Sequence, residues 1–348
     1  MSAGPPPAVR EKGLAGTVRT FLELVKFEHS IFALPYAYIG ALFGATAAAL
    51  SGARAADVAA LLARLGTSSI REANLAAFHA ALPEQVTVVV WRGSLLWVPT
   101  WAALFWVTVA MVGARSFAFV VNRAADKEID ARNPRTAGRA IPAGLVKAWE
   151  LWLFAALVLA AYLFAAWQLA PICIWLSPIP LAAFLIYPYT KRFTPLCHYW
   201  LGLCLGLAVP GGWAAVGAPL ADPAPWILGA AVAVWTAGFD IIYATQDVET
   251  DVRDGVHSMP ADIGVARALV QVRVTHVAAV ALFLLGGWFV GVTWPYYAGV
   301  AIAAALLYYE NSIISADDLS RVNAAFFTVN GMVAVVILAG AIASQLVG

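Results

Sequence analysis

Apolar residues run along this chain in long blocks, broken by short polar connections. Nine blocks of roughly 17–25 residues fall near 29–50, 99–121, 149–169, 171–187, 196–217, 225–246, 274–292, 294–310 and 324–347. Each is long enough to cross a bilayer as a helix, the form in which a single segment satisfies its own backbone in lipid. Very short connections join the third block to the fourth and the seventh to the eighth, so both pairs are expected to be antiparallel hairpins. The stretch 51–98 breaks the pattern. Its segments AADVAALLARLG and IREANLAAFHAALP have helical apolar spacing, and VTVVVWRGSLLWVP reads either as a β-hairpin or as the start of the second span. It reads as an external cap or insert; an insertion without function is the alternative. Residues 1–20 lack the apolar core of a signal peptide and read as a disordered cytoplasmic leader, with 21–348 as one membrane domain.

Composition agrees with this pattern. Of 348 residues, 62% are hydrophobic and 12% are charged, and mean hydropathy is +0.80. A soluble chain carries about twice that charge fraction. The fold class expected is all-α: a polytopic membrane protein lying in a lipid bilayer. A net charge of +1 argues against a nucleic-acid partner. Cys173, Cys197 and Cys204 sit in or near apolar blocks without metal-ligand spacing, and read as small core residues.

Lys and Arg alternate between loops. Arg10, Lys12, Arg19 and Lys26 precede the first span, and Arg123, Lys127, Arg132, Arg135, Arg139 and Lys147 follow the second. Lys191 and Arg192 follow the fourth, Arg253, Arg267 and Arg273 the sixth, and Arg321 the eighth, while the loops near 170, 218–224 and 293 carry none. The positive-inside rule then puts the N-terminus in the cytoplasm and the C-terminus outside. The stretch 51–98 holds Arg54, Arg64, Arg71 and Arg92, but long loops are largely exempt from the rule.

Two acidic clusters interrupt this apolar chain at the cytoplasmic edge. Asn122-Arg-Ala-Ala-Asp126-Lys-Glu-Ile-Asp130 follows the second span, and Asp247-Val-Glu-Thr-Asp251 follows the sixth. Spacing of four residues puts both carboxylates of each pair on one helix face. Glu128 and Glu249 fall off that face and read as solvated. Carboxylates at a bilayer edge are costly, so they mark a functional site. Two pairs at one depth make a seat for divalent cations, through which a membrane protein could hold a diphosphate.

The clusters also look like weak repeats: both contain Asp-x-x-x-Asp-x-Arg followed by Pro-Ala. Arg115 lies seven residues before Asn122 and Asp240 seven before Asp247, close to two helical turns in each case. Two related four-helix halves around a central cavity would bring the clusters face to face. Arg115 reads either as a substrate contact or as a structural partner of Asp240. Gly202-x-x-x-Gly206 reads as a helix-packing face.

The Asn-x-x-x-Asp-x-x-x-Asp and Asp-x-x-x-Asp pair, with Tyr187-x-x-x-Lys191 between them, resembles the UbiA superfamily of intramembrane prenyltransferases over about residues 21–347. The segments KFEHSIFALPYAYIGALFGA, NPRTAGRAIPAG, FDIIYATQDVETDVRDGVHSMPADIG and DLSRVNAAFFTVNG are similar to its 4-hydroxybenzoate polyprenyltransferase branch. The insert at 51–98 departs from that pattern. The resemblance implies transfer of a prenyl group from an all-trans polyprenyl diphosphate to a hydroxylated aromatic acid in quinone synthesis, in the inner (cytoplasmic) membrane. It implies no obligate protein partner.

The residues carry that chemistry as follows. Mg²⁺ takes one or two carboxylates plus waters and phosphate oxygens. Asn122, Asp126 and Asp130 offer one such site, and Asp247 and Asp251 another. Lys191, Arg123 and Arg139 would add cationic contacts to the diphosphate. Tyr187, Tyr243, Asp240 and Arg115 are candidate substrate contacts, and Lys26 could face an acidic acceptor. Tyr187 alternatively belongs to an interfacial belt, and Lys191 and Arg192 to positive-inside anchors. An apolar cavity would keep water from the allylic cation, and aromatic faces would stabilise it. A dihydroxynaphthoate acceptor and haem- or chlorophyll-type prenyl transfer are the alternative enzyme readings. A cation-coupled transporter is the alternative of a different class, though its acids would belong nearer the bilayer midplane.

Overall fold

The computed structural model describes residues 16, 20, 21, 23, 24, 32–51, 56–61, 78–92 and 94–347. Most of the leader, the centre of the 51–98 stretch, and Lys26 lie outside the described residues. The apolar blocks become helices. α1 (Leu34–Ala49) leads to an antiparallel hairpin of β1 (Val86–Trp91) and β2 (Ser94–Pro99), with Trp91 opposite Ser94. So VTVVVWRGSLLWVP takes the first of its two readings. Residues 56–61 and 78–81 are helical, as the apolar spacing predicts. Phe78, Val86, Val88 and Trp97 join the same buried core as Phe43 and Ala45 of α1. The hairpin is therefore packed onto the end of α1.

Thr100 then caps α2 (Trp101–Ala125), its hydroxyl accepting from the Ala103 amide at 3.1 Å. α3 (Lys127–Arg132) follows after one residue, Asp126. Next come α4 (Ala148–Gln168), the short α5 (Ile172–Leu176) and α6 (Pro178–Thr190). The predicted fifth span is broken at Leu207 into α7 (Cys197–Gly206) and α8 (Ala208–Ala215). α9 (Ala224–Ala244) runs through a 3₁₀ turn, Thr245–Asp247, into α10 (Val248–Asp254). α11 (Met259–Ile263), α12 (Val265–Val290) and α13 (Trp294–Ser312) follow. A π-turn at Ala324–Val329 opens α14 (Asn330–Val347).

Six helical segments among the described residues are long and apolar enough to cross a membrane: 101–125, 148–168, 172–190, 224–254, 265–290 and 324–347. The other three predicted spans correspond to the 16-residue α1, to the broken α7–α8 pair, and to α13. The chain is an all-α, multi-pass membrane protein apart from its hairpin.

Small residues set the helix spacing. A Cβ on Gly202 would lie 2.1 Å from the Ala233 carbonyl oxygen, so α7 and α9 touch backbone to backbone. The GxxxG pattern is thus a packing face, as expected. A buried polar cluster ties the second half together. Asn330 donates to Glu310 at 2.6 Å and to the Ala325 carbonyl at 3.0 Å, and accepts from the Trp235 indole at 2.8 Å. These bonds join α9, α13, α14 and the π-turn, and they satisfy groups that would be expensive to leave open in lipid.

Candidate active site

Both acidic motifs sit where a long helix breaks. Asp126 joins α2 to α3 with φ −95° and ψ 5°. Asp247 joins the end of α9 to α10 with φ −111° and ψ 4°. The four-residue ladder survives the first break, because the Asp126 amide bonds the Asn122 carbonyl at 2.9 Å and the Asp130 amide bonds the Asp126 carbonyl at 2.7 Å. So the spacing argument holds, although neither pair lies within one uninterrupted helix. Gly255, at φ +67°, ends α10 in a left-handed conformation that a glycine adopts without strain. The chain then folds back, and Ser258 Oγ donates to Asp251 Oδ2 at 2.9 Å. Glu128 and Glu249 are exposed, as their off-face positions predict.

Each inner carboxylate is met by a cation. Lys191 Nζ lies 2.6 Å from Asp126 Oδ2. Arg139 Nη1 lies 2.8 and 2.9 Å from the two oxygens of Asp130, and Arg123 Nη1 is 3.5 Å away. Arg135 grips both oxygens of Asp247, with its Nε 2.8 Å from Oδ1, and reaches the Tyr243 hydroxyl at 3.1 Å. Asn133 adds a 2.8 Å bond to Asp247 Oδ1. The first motif's loop therefore reaches across to the second motif. Arg253 returns the contact, donating to the Arg132 carbonyl at 3.0 Å. The two clusters face each other, as the repeat predicts.

The four acids, Asn133, Lys191 and the three arginines Arg123, Arg135 and Arg139 line one end of a cavity of about 520 Å³. Arg115, Asn122, Tyr187, Asp240 and Tyr243 line it too, so it gathers every sequence-derived candidate among the described residues. Its far end is apolar and includes Leu220 and Trp226. From Trp226 to Asp247, α9 rises about 30 Å at 1.5 Å per residue. The cavity thus touches both ends of that helix, and between them it is lined by α2, α4, α6, α7 and α8. Asp240 is paired with His198, Nδ1 to Oδ2 at 2.7 Å, rather than with Arg115. The Arg115 guanidinium lies 5.1 Å from the Phe119 ring centre.

The acids suit a divalent ion. Asp126 Oδ1 is buried without a hydrogen-bond partner, an oxygen that a hard cation would satisfy. Burial pushes the Asp126 carboxyl above its ordinary pKa, and Lys191 opposes that shift. No three His, Cys, Asp or Glu side chains among the described residues form a closed cage.

Sequence reasoning did not single out Asn133, Arg135, His198 or Ser258 as site residues. For Asn133, Arg135 and Ser258 the signal is their place inside segments that carry the family resemblance. For His198, the available signal was an ionisable residue at the edge of an apolar span.

The model of the "UbiA prenyltransferase family" matches residues 86–332. The 4-hydroxybenzoate octaprenyltransferase of Salmonella paratyphi B is 31% identical over 283 residues, covering 78% of this chain and 96% of that one. The apo structure of a UbiA homolog from Aeropyrum pernix K1 is 32% identical, with a TM-score of 0.70 over 91% of this chain and 98% of that one. A UbiA homolog from Archaeoglobus fulgidus bound to GPP and Mg²⁺ shares the fold, with a TM-score of 0.63 over 94% of this chain and all of that one, at 16% identity. With its two acidic motifs facing one another across an intramembrane cavity, this chain belongs to the UbiA family of prenyltransferases.

Proposed function

We propose that this prenyltransferase moves a polyprenyl group from an all-trans polyprenyl diphosphate to a hydroxylated aromatic acid of the 4-hydroxybenzoate type, on the cytoplasmic side of the inner membrane. The observation that carries the reading is the cavity: acids and cations at one end, an apolar bore between α2, α4, α6, α7 and α8 behind them. The acceptor class follows the Salmonella relative. The acid-bound ion follows the GPP- and Mg²⁺-bound homolog together with the partnerless oxygen of Asp126.

In this reading Asn122, Asp126 and Asp130 would hold one ion, and Asp247 and Asp251 another. Bound there, Mg²⁺ would supply positive charge to offset the charge that develops on the leaving diphosphate. Lys191, Arg135 and Arg139 already stand against the acids. They therefore lie within reach of the same phosphate oxygens, with the Arg forks suited to bidentate contact. Phe119, Tyr187, Phe239, Tyr243 and Phe326 present aromatic side chains along the cavity, where ring faces stabilise the allylic cation. The bore excludes water, which would otherwise capture that cation.

The deciding experiment uses membranes containing the full chain, an all-trans polyprenyl diphosphate and 4-hydroxybenzoate. Prenylated product should form with Mg²⁺, vanish with EDTA and return when Mg²⁺ is restored. Full turnover in chelator, or no transfer to any hydroxylated aromatic acid, would defeat the reading.

A further inference from the structure

Prenylation of an aromatic ring needs a base as well as a cation seat. As the ring carbon bonds to the prenyl C1, the C1–O bond breaks and the diphosphate leaves with the electron pair. The ring, now one bond richer, must lose one proton, from its hydroxyl or from the attacked carbon. Some group in the cavity has to receive it.

Asp247 is badly placed for that task. Its Oδ1 accepts from Asn133 Nδ2 and Arg135 Nε, and its Oδ2 from the other arm of the same guanidinium. Asp130 is likewise held at both oxygens by Arg139; Asp126 is held by Lys191 at Oδ2 and Asp251 by Ser258 at Oδ2, and the oxygen each has left belongs to the proposed ion seat. Asp240 differs. It lines the same cavity, two helical turns up α9 from Asp247. Its Oδ2 is bonded to His198, its side chain is 20% exposed, and Oδ1 makes no hydrogen bond to any described residue.

His198 is held in turn from behind. The Met259 amide points at its Nε2 across 3.2 Å. A backbone N–H can only donate, so Nε2 must carry the lone pair and Nδ1 the proton. The ring therefore donates Nδ1–H to Asp240 Oδ2. His198 is itself 3% exposed, so water does not compete for either nitrogen. Met259 directly follows Ser258, which grips Asp251. The imidazole thus locks Asp240 to the segment that holds the second acid pair.

We propose that His198 is a positioning residue, fixing Asp240 so that its Oδ1 receives the proton the aromatic acceptor loses. The assignment rests on the aromatic-transfer reading above. It gives this transferase an acid that acts on the acceptor alone, separate from those that face the diphosphate.

The test measures steady-state transfer in membranes as kcat and as KM for the prenyl diphosphate. His198→Leu removes both hydrogen bonds, and kcat should fall about 100-fold, the scale of a general base. KM for the diphosphate should stay within about two-fold, because the phosphate contacts are untouched. His198→Gln can donate to Asp240 and accept from Met259, so it should recover kcat to within about five-fold of wild type. Asp240→Asn should lose about 100-fold, and the H198L/D240N double variant should be no slower than D240N, since His198 acts only through Asp240.

An H198L enzyme as fast as wild type would overturn the assignment, and so would losses that multiply in the double variant. If H198L does not accumulate, D240N and H198Q decide the matter: an active D240N or an H198Q as slow as D240N overturns it. A wild type that prenylates no aromatic acid would instead remove the functional reading itself, and this inference with it.

Discussion

Asp126 and Asp247 occupy the same backbone conformation, φ −95° and ψ 5° in one and φ −111° and ψ 4° in the other. Both lie in the sparsely populated bridge region, which is common at active sites. Each stands at the break between a long membrane helix and a short helix running on from it. The break turns the following carboxylate, Asp130 or Asp251, toward the cavity. The repeated sequence Asp-x-x-x-Asp-x-Arg is therefore also a repeated geometry, in which two acids per half approach one volume from opposite sides.

The acids should be needed for turnover but not for folding. Asp126→Asn and Asp247→Asn each remove the charge but keep the side chain's volume and a carbonyl oxygen for Lys191 or Arg135, so membrane levels of the protein should stay near normal. Prenyl transfer should fall at least ~100-fold, since losing charge stabilisation of about 2.7 kcal/mol has that effect on rate. Glu249 is exposed on the other side of α10, and Glu249→Ala should change the rate little. Parallel product assays on the three variants decide this, and equal damage from Glu249→Ala would remove the helical-face argument.

Arg135 has a planar job. It contacts both oxygens of Asp247 and the Tyr243 hydroxyl, and its guanidinium stands 5.1 Å from the Tyr243 ring centre. A lysine keeps the charge but loses the fork. Arg135→Lys should therefore lose about ten-fold in kcat/KM for the diphosphate, equivalent to about 1.4 kcal/mol. Arg135→Ala should lose more, because Asp247 would be left without its cation. A lysine variant with wild-type kinetics would show that charge alone is used there.

How much of this was legible beforehand follows from what each signal depends on. Spans and acid pairs rest on periodicity within one segment, so α2, α4, α9, α12 and the Asp126 and Asp247 motifs stood out in the chain. The pairing of Arg135 with Asp247 joins residues 112 positions apart, and local pattern does not encode such partners. The break at Leu207 was hidden because α7 and α8 are both apolar, and hydropathy does not register a one-residue interruption of a helix. The 51–98 hairpin was half legible: its alternation fitted a strand, and so did the apolar approach to a span.

Packing at Gly202 sets a stability limit. A side chain there meets the Ala233 carbonyl oxygen at 2.1 Å, and backbone cannot yield as a side chain can. Gly202→Val should force α7 away from α9 and destabilise the protein by about 3 kcal/mol, the upper end for overpacking. Thermal unfolding of detergent-solubilised protein measures this, against Gly138→Ala, where a Cβ meets nothing within 4 Å. An unchanged melting temperature in Gly202→Val would contradict the close approach.

Sidedness is the remaining step between geometry and physiology. The hairpin meets α2 at Thr100, while Asp126 lies at the other end of that helix. At 1.5 Å per residue those ends are about 37 Å apart, enough to separate the two bilayer surfaces. The loops beside the acid motifs carry the Lys and Arg excess, and by the positive-inside rule this supports the proposal that the motifs are cytoplasmic and the hairpin external. Glu84 and Glu128 are both exposed and lie near those two ends. In a background with Cys173, Cys197 and Cys204 replaced, a membrane-impermeant maleimide added to intact cells should modify Glu84→Cys. Glu128→Cys should react only after the membrane is opened. The reverse pattern would put catalysis on the outer face, where a diphosphate made in the cytoplasm could not reach the acids without first being carried across the bilayer.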